Sequence, residues 1–346
     1  MAEATLRRWT TRAMLSLPEP MLRALSRGQV HFEAGRELDP KLRWLARHSP
    51  KRTARSAAEA RARLQHTDSL TAGELDPEVR IEALSVPGPG GPLEARLYHP
   101  PQTAPDDPLL VWLTSGGGIA PGLDRDAVLC ALLARVARCR VLAVQVRLAP
   151  EHRLPTQLED ALAAYHWAAE ALCPQHCDFL VGGAGFGGGL AAAVCQALKC
   201  RGEPQPVLQL LVAPWVDTSS ETQSMTLFAD AWPLTTRELE WRLQQLLGPD
   251  TDPADPKVSP IKSDDLAGLA PAVVVTAGFD PLVDQGEAYA KRLSDAGVKV
   301  LYRCYDRLTH DFHVMTGLAA CADAACRETA GLLREGVQRR VELVDA

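Results

Sequence analysis

The sequence predicts an α/β protein with a mostly parallel central sheet and helices on both faces, and three observations carry that expectation. Short apolar runs of buried-strand type, Leu109 to Leu113, Val141 to Val146, Phe179 to Val181, Val207 to Val212 and Val273 to Thr276, alternate with longer stretches of helical spacing. The glycine-rich turn from Val181 through Gly182-Gly183-Ala184-Gly185-Phe186-Gly187-Gly188-Gly189 to Leu190 joins one such run to an alanine-rich helix, Leu190 to Leu198. At 346 residues the chain buries a large core and exceeds the usual single-domain size, so one large domain with an added lid is as consistent as two domains.

Residues 1–70 carry helical spacing at Leu15, Met21, Leu22 and Leu25, at Leu42, Trp44 and Leu45, and from Ala57 to Leu64, broken by Pro18, Pro20, Pro40 and Pro50. Short helices of this kind make no core alone. They are expected to lie on the main body (residues 71–341), either as packing or as a helical lid segment. From Val79 the pattern becomes alternation, and Val79 to Val86 with Leu93 to Leu97 read as an antiparallel hairpin across Pro87-Gly88-Pro89-Gly90-Gly91. Helices are expected at Asp124 to Val136, Pro155 to Leu172, Leu282 to Ala296 and Ala319 to Val341, with a further strand at Val298 to Tyr305. The stretch from about 215 to 250, with amphipathic Arg237 to Leu247, reads as a second lid piece inserted into the core.

Hydrophobic content of 46% and charged content of 23% are ordinary for a globular protein. A net charge of −6, with no basic block beyond Lys51-Arg52 and Arg55, disfavours a nucleic-acid partner. No apolar run approaches the roughly 18 residues of a membrane span, and Met1 to Leu17, broken by Arg7, Arg8 and Arg12, lacks a signal-peptide core. A cytoplasmic chain is the expectation. The 9 cysteines are odd in number and scattered, which argues for reduced thiols. Cys173 and Cys177 flank Pro174 and His176 without a second ligand pair at finger spacing, so no metal is expected.

The central turn has several possible uses. A Walker loop needs Lys-Ser/Thr after its last glycine, where this chain has Leu190, and a dinucleotide fingerprint belongs in the first βαβ unit with an acidic residue about 20 positions on. This turn comes after earlier strands and is followed by Lys199-Cys200-Arg201. No cofactor is expected. Gly183-Ala184-Gly185-Phe186-Gly187 does fit the spacing of Gly-x-Ser-x-Gly, the strand-to-helix elbow that presents a nucleophile, with Gly185 in place of serine.

Acyl transfer needs a nucleophile, a base, an acid that orients the base, and donors for the oxyanion. Asp280 ends one predicted strand and His310 follows the next, so both reach the carboxyl edge of the sheet, where open α/β sheets bind ligands. Read alone, Asp280 before Pro281 is also an ordinary helix N-cap, His310 a loop histidine, and Asp284 an alternative acid inside the helix. Ser115-Gly116-Gly117-Gly118 follows the strand Leu109 to Leu113 where a His-Gly-Gly-Gly loop supplies an oxyanion donor, with Ser115 in the histidine's place.

Together these segments resemble the hormone-sensitive lipase family of α/β-hydrolases, particularly its bacterial carboxylesterases and acetyl-hydrolases. The resemblance runs from about Leu38 to about Leu333 and includes Arg147-Leu148-Ala149-Pro150-Glu151-His152, Leu158-Glu159-Asp160-Ala161, Asp255-Pro256, Val258-Ser259-Pro260, Gly278-Phe279-Asp280-Pro281-Leu282, and His310 with Phe312. It implies the α/β-hydrolase fold with a helical lid, Asp280 and His310 as acid and base, and Gly116 and Gly117 as oxyanion-hole glycines. The family's elbow, Gly-Asp-Ser-Ala-Gly-Gly-Asn, is altered here at Ala184, Gly185, Phe186 and Gly189, and Asp311 replaces the glycine after the histidine. Phe186 follows the degenerate nucleophile position at the oxyanion hole, its ring expected near the space of a substrate carbonyl, and Ser115, Ala184 and Asp311 are expected around the same pocket. Dimerisation through the sheet edge is a further implication of the resemblance.

Loss of a serine hydrolase's nucleophile costs about a millionfold in turnover, so ordinary esterase catalysis is not expected. Neither Ser115 nor Cys195 lies on a strained turn that would present a replacement. Two readings follow: a non-hydrolytic pseudoenzyme whose pocket takes a small acyl or aromatic ligand, or an enzyme that uses the His310–Asp280 dyad as general base without a covalent intermediate, for elimination, cyclisation or weak water-mediated ester hydrolysis.

Overall fold

The computed structural model describes residues 14, 17–25, 32, 33, 35–49, 53–104, 106–173 and 177–344. Most of the N-terminal stretch Met1 to Leu17 falls outside them, as do Leu15, Pro50, Lys51, Arg52, Pro174 and His176. The strands of the main sheet are β1 (Arg80–Gly88), β2 (Gly91–His99), β3 (Leu109–Leu113), β4 (Arg140–Val144), β5 (Phe179–Ala184), β6 (Leu208–Val212), β7 (Ala272–Phe279) and β8 (Val300–Thr309). They form one 8-stranded sheet in the order β8-β7-β6-β5-β3-β4-β2-β1. The expected hairpin is β1 against β2, closed at Gly88 opposite Gly91; β2 also pairs antiparallel with β4, and every other neighbour pair is parallel.

Each strand's period of two distributes its side chains between two core layers. Leu109, Val111 and Leu113 of β3 pack with Leu158 and Tyr165 on α5 (Thr156–Leu172), Leu190 and Val194 on α6 (Phe186–Cys200), and Tyr289 and Leu293 on α9 (Val283–Asp295). Leu110 and Trp112 face the opposite layer, with Leu129 and Leu133 of α4 (Ala127–Ala137) and Cys326 and Leu333 of α10 (Ala320–Val344). All five β3 residues are buried, as a central strand covered on both faces requires. The hairpin arm β1 lies at the sheet's edge and is mostly exposed.

The central turn is tighter than propensity suggests: β5 continues to Ala184, beyond the expected Val181, and α6 begins at Phe186 instead of Leu190. Close packing explains why glycines sit inside regular elements here. A Cβ on Gly183 would lie 2.3 Å from the Gly187 carbonyl carbon, and one on Gly187 would lie 2.0 Å from the Leu113 carbonyl oxygen. The first turn of α6 therefore lies directly against β3 and β5.

The N-terminal residues form α1 (Glu19–Leu25), a small antiparallel pair of strands (Phe32–Glu33 with Arg36–Glu37), α2 (Pro40–His48) and α3 (Ala57–Thr71). The proline that breaks the pattern before α2 also starts that helix: Pro40 is at its first turn and Asp39 caps it, accepting from the Lys41 amide at 2.9 Å. Helix α3 has almost no apolar face and is held by its arginines. Arg61 donates to the carbonyls of Ile119 and Ala149 at 2.8 and 3.2 Å and pairs with Glu151 at 2.7 Å, while Arg63 reaches Glu238 at 2.9 Å. Between β6 and β7 come α7 (Gln223–Leu227) and α8 (Thr236–Leu246), the second capped by the Thr235 hydroxyl, which accepts from the Glu238 amide at 3.0 Å.

Cys173 and Cys177 form a disulfide, which corrects the expectation that all nine cysteines are thiols. The odd total and wide scatter pointed away from it, but the end of α5 brings these two Cα atoms to 5.6 Å, within bridging distance. Among the described residues no helix is long and apolar enough to cross a membrane, and no group of three or more His, Cys, Asp or Glu side chains gathers as metal ligands.

Candidate active site

Gly185 sits between β5 and α6 at φ 55° and ψ −116°, a conformation that costs little only for glycine. Its peptide is clamped on both sides: the Gly185 amide donates to Val212 at 2.9 Å, and its carbonyl accepts from Trp215 at 2.9 Å. A Cβ built on Gly185 would stand 3.3 Å from His310 Nε2 and 3.6 Å from its Cε1. The direction in which a side chain would leave this turn therefore runs straight at the imidazole.

His310 enters from the loop after β8. Its Nδ1–H donates to Asp280 Oδ2 at 2.7 Å, with both side chains buried. Asp280 Oδ1 accepts from the Leu282 amide at 2.9 Å, so the same carboxylate orients the histidine and caps the turn into α9. The helix itself has no side-chain cap: its N-cap residue is Leu282. Asp284 is elsewhere, accepting from the Ser224 amide at 2.7 Å.

The other face of the imidazole differs. Asp311 Oδ1 lies 3.6 Å from His310 Nε2, and Asp311 takes a left-handed backbone, φ 62°, that aspartate tolerates better than most residues. Burial would lower the His310 pKa, but the Asp280 and Asp311 charges outweigh it and hold the ring above its ordinary value. Burial would raise Asp311, but Arg125, His310, His313 and Arg242 together keep it well below the usual carboxylate range. The ring thus lies between two carboxylates that both favour its protonated form.

The loop after β3 supplies the third wall. Gly116, Gly117 and Gly118 have φ of 104°, 66° and 70°, and among the described residues the N–H groups of Gly116 and Gly117 have no acceptor. Successive amides in such conformations form an anion-accepting concavity. The pocket is lined by Ser115, Gly116, Gly117, Gly185, Phe186 and His310, together with Asp311, Arg242 and the apolar walls Trp215, Leu234, Leu239 and Leu282. Its empty volume is about 270 Å³, the mouth included.

Beneath the loop lies a buried polar cluster. Arg125 pairs with Asp68 at 2.6 Å and with Asp311, and its Nε donates to Ser115 Oγ at 3.1 Å. Ser115 Oγ donates to Asp126 Oδ1 at 2.5 Å; Asp126 Oδ2 accepts from the Ser115 amide and from Trp112 Nε1, both at 2.8 Å, and His313 Nε2 lies 3.2 Å from Oδ1.

A family model described as alpha/beta hydrolase fold matches residues 110–314. The chain belongs to the α/β-hydrolase family. Among the α/β-hydrolases it resembles, the carboxylic ester hydrolase LipN of Mycobacterium tuberculosis is 38% identical over 337 residues, covering 93% of this chain and 89% of the relative. An ethyl acetate hydrolase of Pseudomonas putida is 37% identical over 277 residues, covering 77% and 86%. The crystal structure of an esterase of Pyrobaculum calidifontis superposes with a TM-score of 0.80 at 30% identity, covering 86% of this chain and 98% of that one. These relatives place the chain among carboxylesterase- and lipase-type α/β-hydrolases.

Within this α/β-hydrolase, Ser115, Gly116, Gly117, Gly185, Phe186, His310 and Asp311 converge on one pocket, with Asp280 behind the histidine. Ala184 is a correction: it is wholly buried in the second core layer with Leu180 and Val212, because the alternation of β5 turns it away from the pocket. The substitutes considered for the nucleophile are also engaged otherwise. The Ser115 hydroxyl is spent on Asp126, and Cys195 is wholly buried, its thiol pKa pushed far up by desolvation. Sequence reasoning missed Asp68, Arg125, Asp126, Arg242 and His313. The one available signal was position, since Arg125 and Asp126 immediately precede α4 and His313 follows His310 by one turn.

Proposed function

We propose that this α/β-hydrolase is a non-hydrolytic member of its family, a pseudoenzyme whose pocket binds a small acyl ligand. The observation that carries the reading is Gly185: the place from which a side-chain oxygen would meet His310 Nε2 has no side chain. Without a nucleophile a serine hydrolase loses about a millionfold in turnover. Asp280, His310, Gly116, Gly117 and the Phe186 amide keep their family positions in this proposal as pocket groups, with α3 and the α7–α8 segment as its lid. The arginines of α3 support that lid assignment, since Arg61 holds the carbonyls of Ile119 and Ala149 and Arg63 holds α8 through Glu238.

One observation favours the dyad alternative: the 2.7 Å bond between His310 Nδ1 and Asp280 is the arrangement of a working general base. Asp311 opposes it: its carboxylate, 3.6 Å from His310 Nε2, favours the protonated ring, the form with no lone pair to take a proton. Assay of p-nitrophenyl acetate and butyrate with the purified protein and its His310→Ala variant separates the readings. The expected result is no enzymatic turnover in either; turnover lost in the variant establishes the dyad, and turnover unchanged in the variant defeats both.

A further inference from the structure

The pocket is shut. Its mouth accounts for most of the empty volume, and the cavity itself is about 10 Å³, room for one water molecule. An acyl group that enters must therefore displace a wall. Two lining side chains, Leu239 and Arg242, come from one face of α8, at positions i and i+3. That face rests on the glycine loop: a Cβ on Gly117 would lie 2.5 Å from Arg242 Nη1, and one on Gly118 would lie 2.6 Å from Leu246 Cδ2. Helix α8 is the roof of the cavity.

The ends and the middle of α8 are held differently. At its first turn the Thr236 amide donates to the Ala229 carbonyl at 3.0 Å, and at its last the Leu246 carbonyl accepts from the Leu154 amide at 3.0 Å, so both ends are fixed through backbone. Between them the buried Glu238 carboxylate gathers three groups. Its Oε1 accepts from Arg242 Nε at 3.3 Å within the helix, while Oε2 accepts from Arg63 Nη2 at 2.9 Å and from the Ala54 amide at 3.4 Å. The first bond travels with α8. The other two cross to α3 and the residues before it, and they oppose any roll of α8 that lifts Leu239 and Arg242 off the loop. The joint they close is largely polar on the α3 side, where Ala60 and Thr71 are the buried residues, so parting it exposes little apolar surface there. Arg63 is partly exposed, and an ion pair with one partner in water is weak and screened by salt.

We infer that Glu238 is the latch of a gated pocket: release of its bonds to Arg63 and Ala54 lets α8 roll about its backbone-held ends and admits a small acyl ligand to Gly185 and His310. This rests on the reading of that pocket as a ligand site. Arg242 stays paired with Glu238 when the latch opens, so the movement strands no buried charge on α8.

The test is hydrogen–deuterium exchange of the full chain, read by peptide mass spectrometry, on the unmodified protein, Arg63→Met and Arg63→Lys. Neither variant alters the pocket lining, and Glu238 keeps Arg242 in both. The expected result is exchange of the α8 amides about fivefold faster in Arg63→Met and less accelerated in Arg63→Lys, with β3 and β5 exchanging as before. Unchanged α8 exchange overturns the inference. Acceleration shared equally by β3 and β5 also overturns it, since Arg63 is then a general stabiliser. A second measurement reads the pocket directly: iodoacetamide is too large for the closed cavity, so alkylation of Gly185→Cys is expected to speed up by a similar factor when Arg63→Met is added, and equal rates overturn the latch. Cleavage of p-nitrophenyl butyrate by the unmodified protein instead defeats the non-hydrolytic reading, and leaves the latch to be judged on exchange, which needs no ligand.

Discussion

The two faces of the His310 ring make an instructive contrast. On the Nδ1 side, Asp280 holds the ring at 2.7 Å and the backbone at Leu282 holds Asp280, the arrangement of an orienting acid. On the Nε2 side the elbow has kept its backbone geometry but offers no side chain, and the charge nearest the ring belongs to Asp311, which is tied through Arg125 to Asp68. The elbow's shape is set by close backbone packing of Gly183 and Gly187 against β3, which is indifferent to whether residue 185 carries an oxygen. Scaffold and chemistry are thus held by different interactions, and one can be lost without the other.

The largest expected effect comes from breaking the Nε2-side network. Arg125→Met leaves Asp68 and Asp311 buried without their cation and is expected to cost about 3–5 kcal/mol, read as a lowered urea midpoint. Next is the scaffold itself: Gly187→Ala forces a methyl group into the Leu113 carbonyl and is expected to cost about 1–3 kcal/mol or more in the same measurement. If Gly187→Ala proves harmless, the elbow is not held by close packing and the contrast fails.

A smaller effect concerns pH. The His310 pKa is raised, so its contribution to stability is fully present below its unfolded value of about 6.5 and is lost as pH rises through the folded value. The Asp311 pKa is depressed, so its contribution is present above about 3.9 and is lost as pH falls through its folded value. The pair is therefore most stabilising between about pH 4 and 6.5. Comparing urea midpoints of the unmodified protein and His310→Gln should give a difference that shrinks from pH 6 to pH 9; a constant difference means the ring is neutral in the native state.

The smallest change is expected from Gly185→Ser alone, which should restore no p-nitrophenyl butyrate turnover. Asp311 favours the protonated form of His310, and the Phe186 ring still packs on the Gly118 loop, where a Cβ would be 3.0 Å from its Cζ. Esterase activity in that single variant shows that the Nε2 side is merely missing an oxygen and that the charge network is incidental.

Much of this was legible in the sequence because it is local. A five-residue apolar run such as Leu109–Leu113 declares a central strand, a glycine-rich elbow declares a strand-to-helix turn, and Asp280 and His310 each follow a strand whose end the fold fixes. Arg125–Asp311, Arg125–Asp68 and Arg242 at Gly117 were illegible for the converse reason. Each joins residues far apart in the chain, and an arginine inside an amphipathic helix such as α8 looks solvent-facing until its neighbours are known. Ala184 was assigned to the pocket because it adjoins Gly185, yet neighbours in a strand point to opposite faces.

The bare elbow has a consequence for how such a chain is found. Fluorophosphonate reagents report serine hydrolases by forming a bond to the oxygen at this turn, and Gly185 has no atom to phosphonylate. If the proposed non-hydrolytic reading holds, a census of α/β-hydrolases taken by covalent labelling passes over this protein while a census by fold counts it. Gly185→Cys would reverse that, setting a thiol beside His310 and making the pocket addressable by thiol-directed dyes.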